Sequence, residues 1–230
     1  MNPSLVGSEM CIRDRLLVSG DSWTDKSFIS DFHPNLDTSW PKWPEMLAKK
    51  LDMDCVNLGK MGAGNEYIFS SLLDEIVSLD NIGLVIAAWS PCHRKDWRRY
   101  NFWHNNAWDP NKEIGINNND ITSHINKSFR YYYSLQEVCK SKKIPLKHFQ
   151  MLHMFSGYVY ANPHSIISAD KKDRKRFEIL KHIHHSPYFD KINDDFKGWP
   201  GDGTLGGYCI EKNLWDNTCL LYTSDAADDG

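Results

Sequence analysis

The chain has 230 residues, 41% of them hydrophobic, which suits one sizeable domain with a single core. Its formal net charge of -3 and the even mixing of its basic and acidic residues do not indicate a nucleic-acid surface or an anionic-membrane surface. No apolar segment approaches the roughly 20 residues needed to cross a bilayer, and the first apolar run is too short for a secretory leader, so we expect a cytoplasmic protein.

The two ends of the chain do not continue the patterns beside them. Residues 1–15, which include NPSLVGSEMCIRDR, and residues 219–230, CLLYTSDAADDG, resemble translated sequencing-adapter sequence found at the ends of environmental reading frames. We therefore interpret both as non-native segments around a single domain at 16–218 that has lost its natural C-terminus. Ordinary frayed termini are the alternative interpretation.

Short apolar runs alternate with helical patterns along the chain. Strands are predicted at Leu16–Gly20, Met53–Gly59, Ile82–Trp89 and Pro145–Phe155. Helical faces are predicted from Trp43, Met46, Leu47 and Leu51, from Ile68, Leu72 and Ile76, and from Ile125, Phe129, Tyr132, Leu135 and Cys139. The third helix is predicted to begin near Asp120 and to end in the lysines before Pro145. Strands separated by helices predict a three-layer α/β/α sandwich with a mostly parallel sheet.

Polar residues follow the first predicted strand at once, in the segment GDSWT at 20–24. In parallel sheets, ligands bind beyond the carboxyl ends of the strands. A helix that began after Gly20 would direct free amides towards a group bound by Ser22, which makes Ser22 a candidate nucleophile whose amide begins an oxyanion hole. The alternative is that Asp21 or Ser22 only caps a helix.

The loop after the second predicted strand reads N-x-G-x-x-G from Asn57 to Gly62, and its glycines allow the backbone to approach a ligand closely. Together with GDSWT, this loop resembles the first two blocks of the SGNH (GDSL-type) hydrolase family, over most of 16–218. The resemblance implies a flavodoxin-like sheet. It also implies that Ser22 is the nucleophile and that the amides of Ser22 and Gly62 stabilise the oxyanion of an ester-derived intermediate.

The third block departs from the family pattern, because AWSPCHRKDW at 88–97 replaces the usual G-x-N-D. Trp89, Ser90 and Arg94 fit a variant of this block in which Arg94 binds an anionic group of the substrate. The alternative is a structural arginine that pairs with Asp96 or with a loop carbonyl. Asn65 is either a substitute for the missing amide donor or the cap of the helix that follows.

The fourth block, D-x-x-H, supplies the base and its orienting carboxylate in the family, and we do not find it. The segment DFHPN at 31–35 is one residue too short and follows the first strand, so we interpret it as a loop. Residues 201–218 run towards the expected position and then meet the C-terminal segment. The base therefore stays unassigned, and this chain is expected to lack much of the family's activity.

No metal or cofactor is expected. The cysteines are scattered without C-x-x-C spacing, and the histidines of 181–185, with His153, lack matching carboxylate or cysteine partners. We interpret 181–185 as a solvated helix end.

Residues 95–119 are rich in tryptophan and asparagine and lack clear periodicity, so we predict a loop that covers the site as a lid. Indole rings beside amides suit a sugar, and an acylated carbohydrate, or another small ester, is therefore the expected substrate. The alternative is that these rings pack as a satellite core.

Two classes of function stay open. The first is a serine esterase or deacetylase of SGNH type. The second is a non-catalytic module that binds a carbohydrate or a phosphate group, because S-x-T-x-x-S at 22–27 has the hydroxyl spacing of a flavodoxin-like phosphate loop. Asp25 stands where that loop has glycine and would repel phosphate, so flavin ranks below the esterase.

Overall fold

The computed structural model describes residues 14–28, 35, 37, 39–99, 102–106, 118–152, 154, 181–192, 195–197, 204–205 and 208. Its strands are β1 Arg15–Ser19, β2 Asp54–Asn57, β3 Ile82–Trp89, β4 Lys95–Arg99, β5 Phe102–Asn106, β6 Leu146–Gln150 and β7 Phe196–Lys197. Its α-helices are α1 Trp43–Leu51, α2 Asn65–Ser78 and α3 Asn118–Lys142.

Five of these strands form one sheet in the order β2-β1-β3-β6-β7, and every pairing in it is parallel. With the separate β4-β5 pair set aside, this is the flavodoxin-like order, in which the first strand lies between the second and the third. The predicted α/β class is therefore confirmed. The order also places the ends of β1, β2 and β3 next to one another, where the candidate site was predicted.

The strands agree with the apolar runs because strands covered on both faces require continuous apolar sequence. β3 has the predicted bounds, and β1 begins one residue earlier, at Arg15, which pairs with Asp54. β6 is shorter than predicted and ends at Gln150. β7, which pairs with β6, was not predicted from the sequence.

Helices cover both faces of the sheet. The predicted faces of α2 and α3 are buried in one cluster, with Ile68, Leu72, Phe129, Tyr132 and Leu135 all fully covered. On the other face, Ala48 of α1 packs in a smaller cluster with Leu16 and Val18 of β1.

The predicted apolar face of α1 is partly wrong. Met46 is 54% exposed and Leu51 is 45% exposed. Pro44 and Ala48 are the buried residues of this helix, and Leu47 packs beside them. Met46 lies outside the helix face that Pro44, Leu47 and Ala48 form. Leu51 is the last residue of the helix.

The start of α3 also differs from the prediction, because the helix begins at Asn118, so Asp120 lies inside it. Its end agrees, since Lys143 takes a left-handed conformation with φ 59° directly after the helix.

The predicted lid at 95–119 contains regular structure. β4 and β5 form an antiparallel pair in which Trp97 lies opposite His104 and Arg98 opposite Trp103. Aromatic residues favour strands, but the two runs lack a glycine-containing turn signal between them, so the sequence pattern did not distinguish this hairpin from a loop. Residues 100–101 and 107–117 lie outside the described residues.

Among the helices of the described residues, none has both the length and the apolar character that a bilayer crossing requires.

A buried histidine links β3 and β6 in the core. His148 is fully covered, and its Nδ1 accepts a hydrogen bond of 3.2 Å from Trp89 Nε1. Burial lowers the pKa of His148 from 6.5 to about 3, so the folded protein keeps this ring neutral. The unfolded chain protonates it near pH 6.5.

We predict that His148→Gln reduces the loss of stability in acid. The lowered pKa of His148 makes the folded state lose stability as the pH falls from 6.5 towards 3, by up to about 1.4 kcal/mol per pH unit, because only the unfolded chain binds the proton. Urea unfolding at pH 7 and pH 5 measures this slope in both proteins. The variant should show a shallower slope, and equal slopes would contradict the prediction.

Candidate active site

The segment after β1 forms a tight turn, and the helix predicted to begin after Gly20 is not found within 21–28. The carbonyl of Asp21 accepts hydrogen bonds from the amides of Thr24 at 2.9 Å and Asp25 at 3.0 Å. Asp21 Oδ1 accepts a further one of 3.2 Å from the amide of Trp23. Asp21 thus caps this turn, with Ser22 inside it and 8% exposed at the carboxyl end of β1.

Gly62 lies in the loop between β2 and α2, where it has a left-handed φ of 73°. Amides on both sides of it donate to described acceptors, namely those of Leu58, Gly59, Lys60, Met61, Ala63 and Gly64. Within the described residues, the amides of Gly62 and Ser22 have no such acceptor. These are the two amides that the family resemblance assigns to an oxyanion hole.

Three buried charged side chains bind the residues next to Gly62. Asp25 Oδ2 accepts a hydrogen bond of 2.8 Å from the Met61 amide. Arg94 Nη1 donates to the Ala63 carbonyl at 3.2 Å, and Asp96 Oδ1 accepts from the Gly64 amide at 2.8 Å. The backbone around Gly62 is thus fixed before any ligand binds.

Asp96 also caps α2 from outside the helix. Gly64 is the N-cap residue and has no side chain, and Asp96 Oδ2 accepts from the amide of Tyr67 at 2.8 Å. A Cβ at Gly64 would lie 2.7 Å from Asp96 Oδ2, so glycine is required for this close approach. Burial raises the pKa of Asp96, and the two amides that it accepts from oppose that shift.

Arg94 joins the ends of β1, β2 and β3. Its Nη1 lies 3.2 Å from Asp21 Oδ2, 3.2 Å from the Ala63 carbonyl oxygen and 2.7 Å from Ser90 Oγ. Of the two structural partners considered from the sequence, the loop carbonyl is observed, and the carboxylate partner is Asp21. Burial raises the pKa of Asp21, and the adjacent guanidinium opposes that shift.

The side chain of Asn65 makes contacts inside the protein that were not expected from the sequence. Its Oδ1 accepts a hydrogen bond of 2.9 Å from the amide of Ser90, and its Nδ2 donates to Ser128 Oγ at 3.0 Å and to Tyr132 Oη at 3.2 Å. The Asn65 side chain therefore connects the end of β3 to α3. Gly64, not Asn65, is the N-cap residue of α2.

Trp89 lies in the core below the site. Its ring is fully buried, and its centroid lies 4.4 Å from that of Tyr132. Ser90, the next residue, is also fully buried, and its hydroxyl accepts from Arg94. Within 88–97, the residues that directly contact the two candidate loops are therefore Arg94, which binds Asp21 and Ala63, and Asp96, which accepts from Gly64.

The histidines that the structure describes do not reveal a base, since none of them is hydrogen-bonded to Ser22. His93 is buried beside Arg94, and burial lowers its pKa to about 3. His182 contacts Thr122, and His184 packs on Phe189. Residues 31–34 and His153 lie outside the described residues, and no group that could bind a metal ion is found in the described part of the chain.

Comparison with known proteins finds no matching family model and no matching curated protein. Eleven chains of solved structures match, among them the following two. One is from Desulfitobacterium hafniense DCB-2 and is described as a lipolytic protein of the G-D-S-L family, with 14% identity, a TM-score of 0.38 and coverage of 86% of this chain and 73% of that one. The other is from Streptococcus pneumonia and is described as a platelet activating factor, with 14% identity, a TM-score of 0.33 and coverage of 90% and 87%. The first description names the family that the motifs at 20–24 and 57–62 resemble.

We predict that Asp96→Ala lowers the free energy of unfolding by about 2–4 kcal/mol, because it leaves the buried amides of Gly64 and Tyr67 without their acceptor. Asp74→Ala is the matched control, since Asp74 is an exposed residue of α2, and a change within about 0.5 kcal/mol is expected there. Urea unfolding measures both. Equal effects of the two substitutions would contradict the capping role of Asp96.

Proposed function

We propose that the chain is a serine hydrolase of SGNH type that acts on an ester, with Ser22 as nucleophile and the amides of Ser22 and Gly62 as the oxyanion hole. One observation carries the proposal. The two loops that bear these amides are bound to the same nitrogen of Arg94, through Asp21 on one side and Ala63 on the other. The amides themselves have no acceptor among the described residues.

In the proposed reaction, Ser22 Oγ attacks the ester carbonyl carbon, and the electron pair of the C=O bond moves to the oxygen. The two amides donate to that oxygen as its negative charge develops. The hydroxyl proton passes to a base, and the alkoxide of the ester leaves with a proton when the C=O bond forms again. Water then releases the acyl group from Ser22. The proposal assigns the nucleophile and the oxyanion hole and leaves the base open.

The charges around the site favour an uncharged substrate. Asp21, Asp25 and Asp96 are buried within hydrogen-bond distance of the two loops, against one guanidinium, that of Arg94. Buried carboxylates repel a phosphate group. We therefore propose a neutral ester, and the tryptophans and asparagines of 95–119 make an acylated carbohydrate the preferred class.

Two of the three hydroxyl groups that suggested a phosphate loop, those of Thr24 and Ser27, are buried or already bonded within the protein. Ser27 Oγ donates to Asp25 Oδ1 at 2.7 Å. Thr24 is fully buried, and a Cβ at Gly20 would lie only 2.2 Å from its Oγ1. This arrangement disfavours the flavin alternative.

We predict that Ser22→Ala lowers the hydrolysis of p-nitrophenyl acetate by about 1,000-fold or more, because the acyl group loses its acceptor oxygen. Release of p-nitrophenolate measures the rate. Ser27→Ala is the matched control, since Ser27 is exposed in the same segment and bonds only locally, to Asp25. It should retain activity within about threefold of the original protein.

Equal turnover by Ser22→Ala and the original protein would contradict this assignment. A purified protein that is yellow and absorbs as a flavin does would favour the phosphate-binding alternative instead.

A further inference from the structure

We propose that Arg94 is a positioning residue that fixes the oxyanion hole, and that it does not bind an anionic group of the substrate. This inference rests on the proposed function for its catalytic consequence. The structural part of the inference, that Arg94 holds the two candidate loops in place, depends only on the contacts of Arg94.

Within the described part of the chain, Arg94 contacts the loops and strand ends of the protein itself. One nitrogen, Nη1, donates to the carboxylate of Asp21, the carbonyl of Ala63 and the hydroxyl of Ser90. Asp21 immediately precedes Ser22, and Ala63 immediately follows Gly62. Each of the two candidate amides is thus one residue away from an atom that the same nitrogen binds.

The burial of Arg94 favours the positioning role over the binding of a substrate anion. Its side chain is 5% exposed, and the carboxylate of Asp21 is fully covered. An arginine that binds a substrate anion presents its guanidinium to the cavity, whereas this guanidinium already has an internal anion. The Cβ of Arg94 also lies 3.1 Å from where a Cβ of Gly64 would be, so its stem is packed against the same loop.

The position of Arg94 is itself supported from the core. Ser90 donates its amide to Asn65 Oδ1, and its carbonyl accepts from Gln150 Nε2 at 2.9 Å. Asn65 in turn donates to Ser128 and Tyr132 of α3. A continuous set of hydrogen bonds therefore runs from α3 through Asn65 and Ser90 to Arg94 and the two loops.

The test compares Arg94→Gln with the original full chain on two esters, neutral p-nitrophenyl acetate and the carboxylate-bearing mono-4-nitrophenyl succinate. We expect kcat to fall about 100-fold on both esters, with KM within about threefold, because a displaced oxyanion hole affects every ester alike. Arg130→Gln, an exposed arginine of α3, is the control and should leave both constants unchanged. A rise of tenfold or more in KM for the succinate ester alone would overturn the proposal.

Amide hydrogen exchange followed by NMR provides the readout that does not depend on activity. Arg94→Gln should exchange the amides of 60–64 at least about tenfold faster than the original protein, while those of Leu135 and its neighbours in α3 stay unchanged. Unchanged exchange at 60–64 would overturn the positioning role whatever the activity. An original protein without esterase activity would instead overturn only the proposed function.

If Arg94→Gln does not fold, Ser90→Ala tests the same proposal. It removes the shortest contact of Arg94 and leaves the ion pair with Asp21 in place. Exchange at 60–64 should again become faster, with a smaller fall of about tenfold in kcat. Exchange and kcat equal to those of the original protein would overturn the proposal.

Discussion

The ends of β1, β2 and β3 meet at one buried guanidinium, and the arrangement of the loops above the sheet depends on it. A buried ion pair is weak evidence for stability, because the cost of removing both charges from water offsets most of their attraction. Burial raises the pKa of Asp21, and the guanidinium of Arg94 opposes that shift. The contribution of the pair is therefore geometric, since it fixes two loops relative to each other.

The N-x-G-x-x-G motif has a physical meaning in this structure that its spacing does not reveal. Asn57 Oδ1 accepts from the Gly59 amide, and its Nδ2 donates to the carbonyl of Thr24 and to Glu45 of α1. A Cβ at Gly59 would lie 2.5 Å from the carbonyl carbon of Thr24, so only glycine permits the close approach of the two loops. The motif thus connects β2, the turn after β1, and α1.

Much of the fold was predictable from the sequence, because strands buried on both faces and the long buried stripe of α3 leave continuous or periodic apolar patterns. The hairpin of β4 and β5 leaves no such pattern, since its polar and aromatic residues resemble those of a loop. The crossover rule for parallel strands gives the handedness of the connections, but the strand order itself was established only by the structure.

The candidate site was predictable only in part. Ser22 was a candidate from its position after the first strand, the roles of Ser22 and Gly62 came from the family resemblance, and both roles stay predictions. Asp25 and Asp96 were not chosen for the contacts that they make, because those contacts join residues far apart in the chain: Asp96 is 32 residues from Gly64. A sequence shows which residues are charged, but it does not show which distant amide each one accepts from.

The same contacts determine what the site can stabilise. Asp25 accepts from the amide of Met61 and Asp96 accepts from the amide of Gly64, so side chains of the protein itself hold the segment that carries the Gly62 amide. Such an amide needs no reorganisation when charge develops on a bound oxygen, which is the condition for electrostatic catalysis in a region of low dielectric constant. Under the proposed function, the neighbouring carboxylates oppose a full negative charge that is present before the reaction, and the two amides would donate to a small oxyanion that forms during it. The substrate that the proposal favours is therefore a neutral ester that becomes anionic only in the transition state.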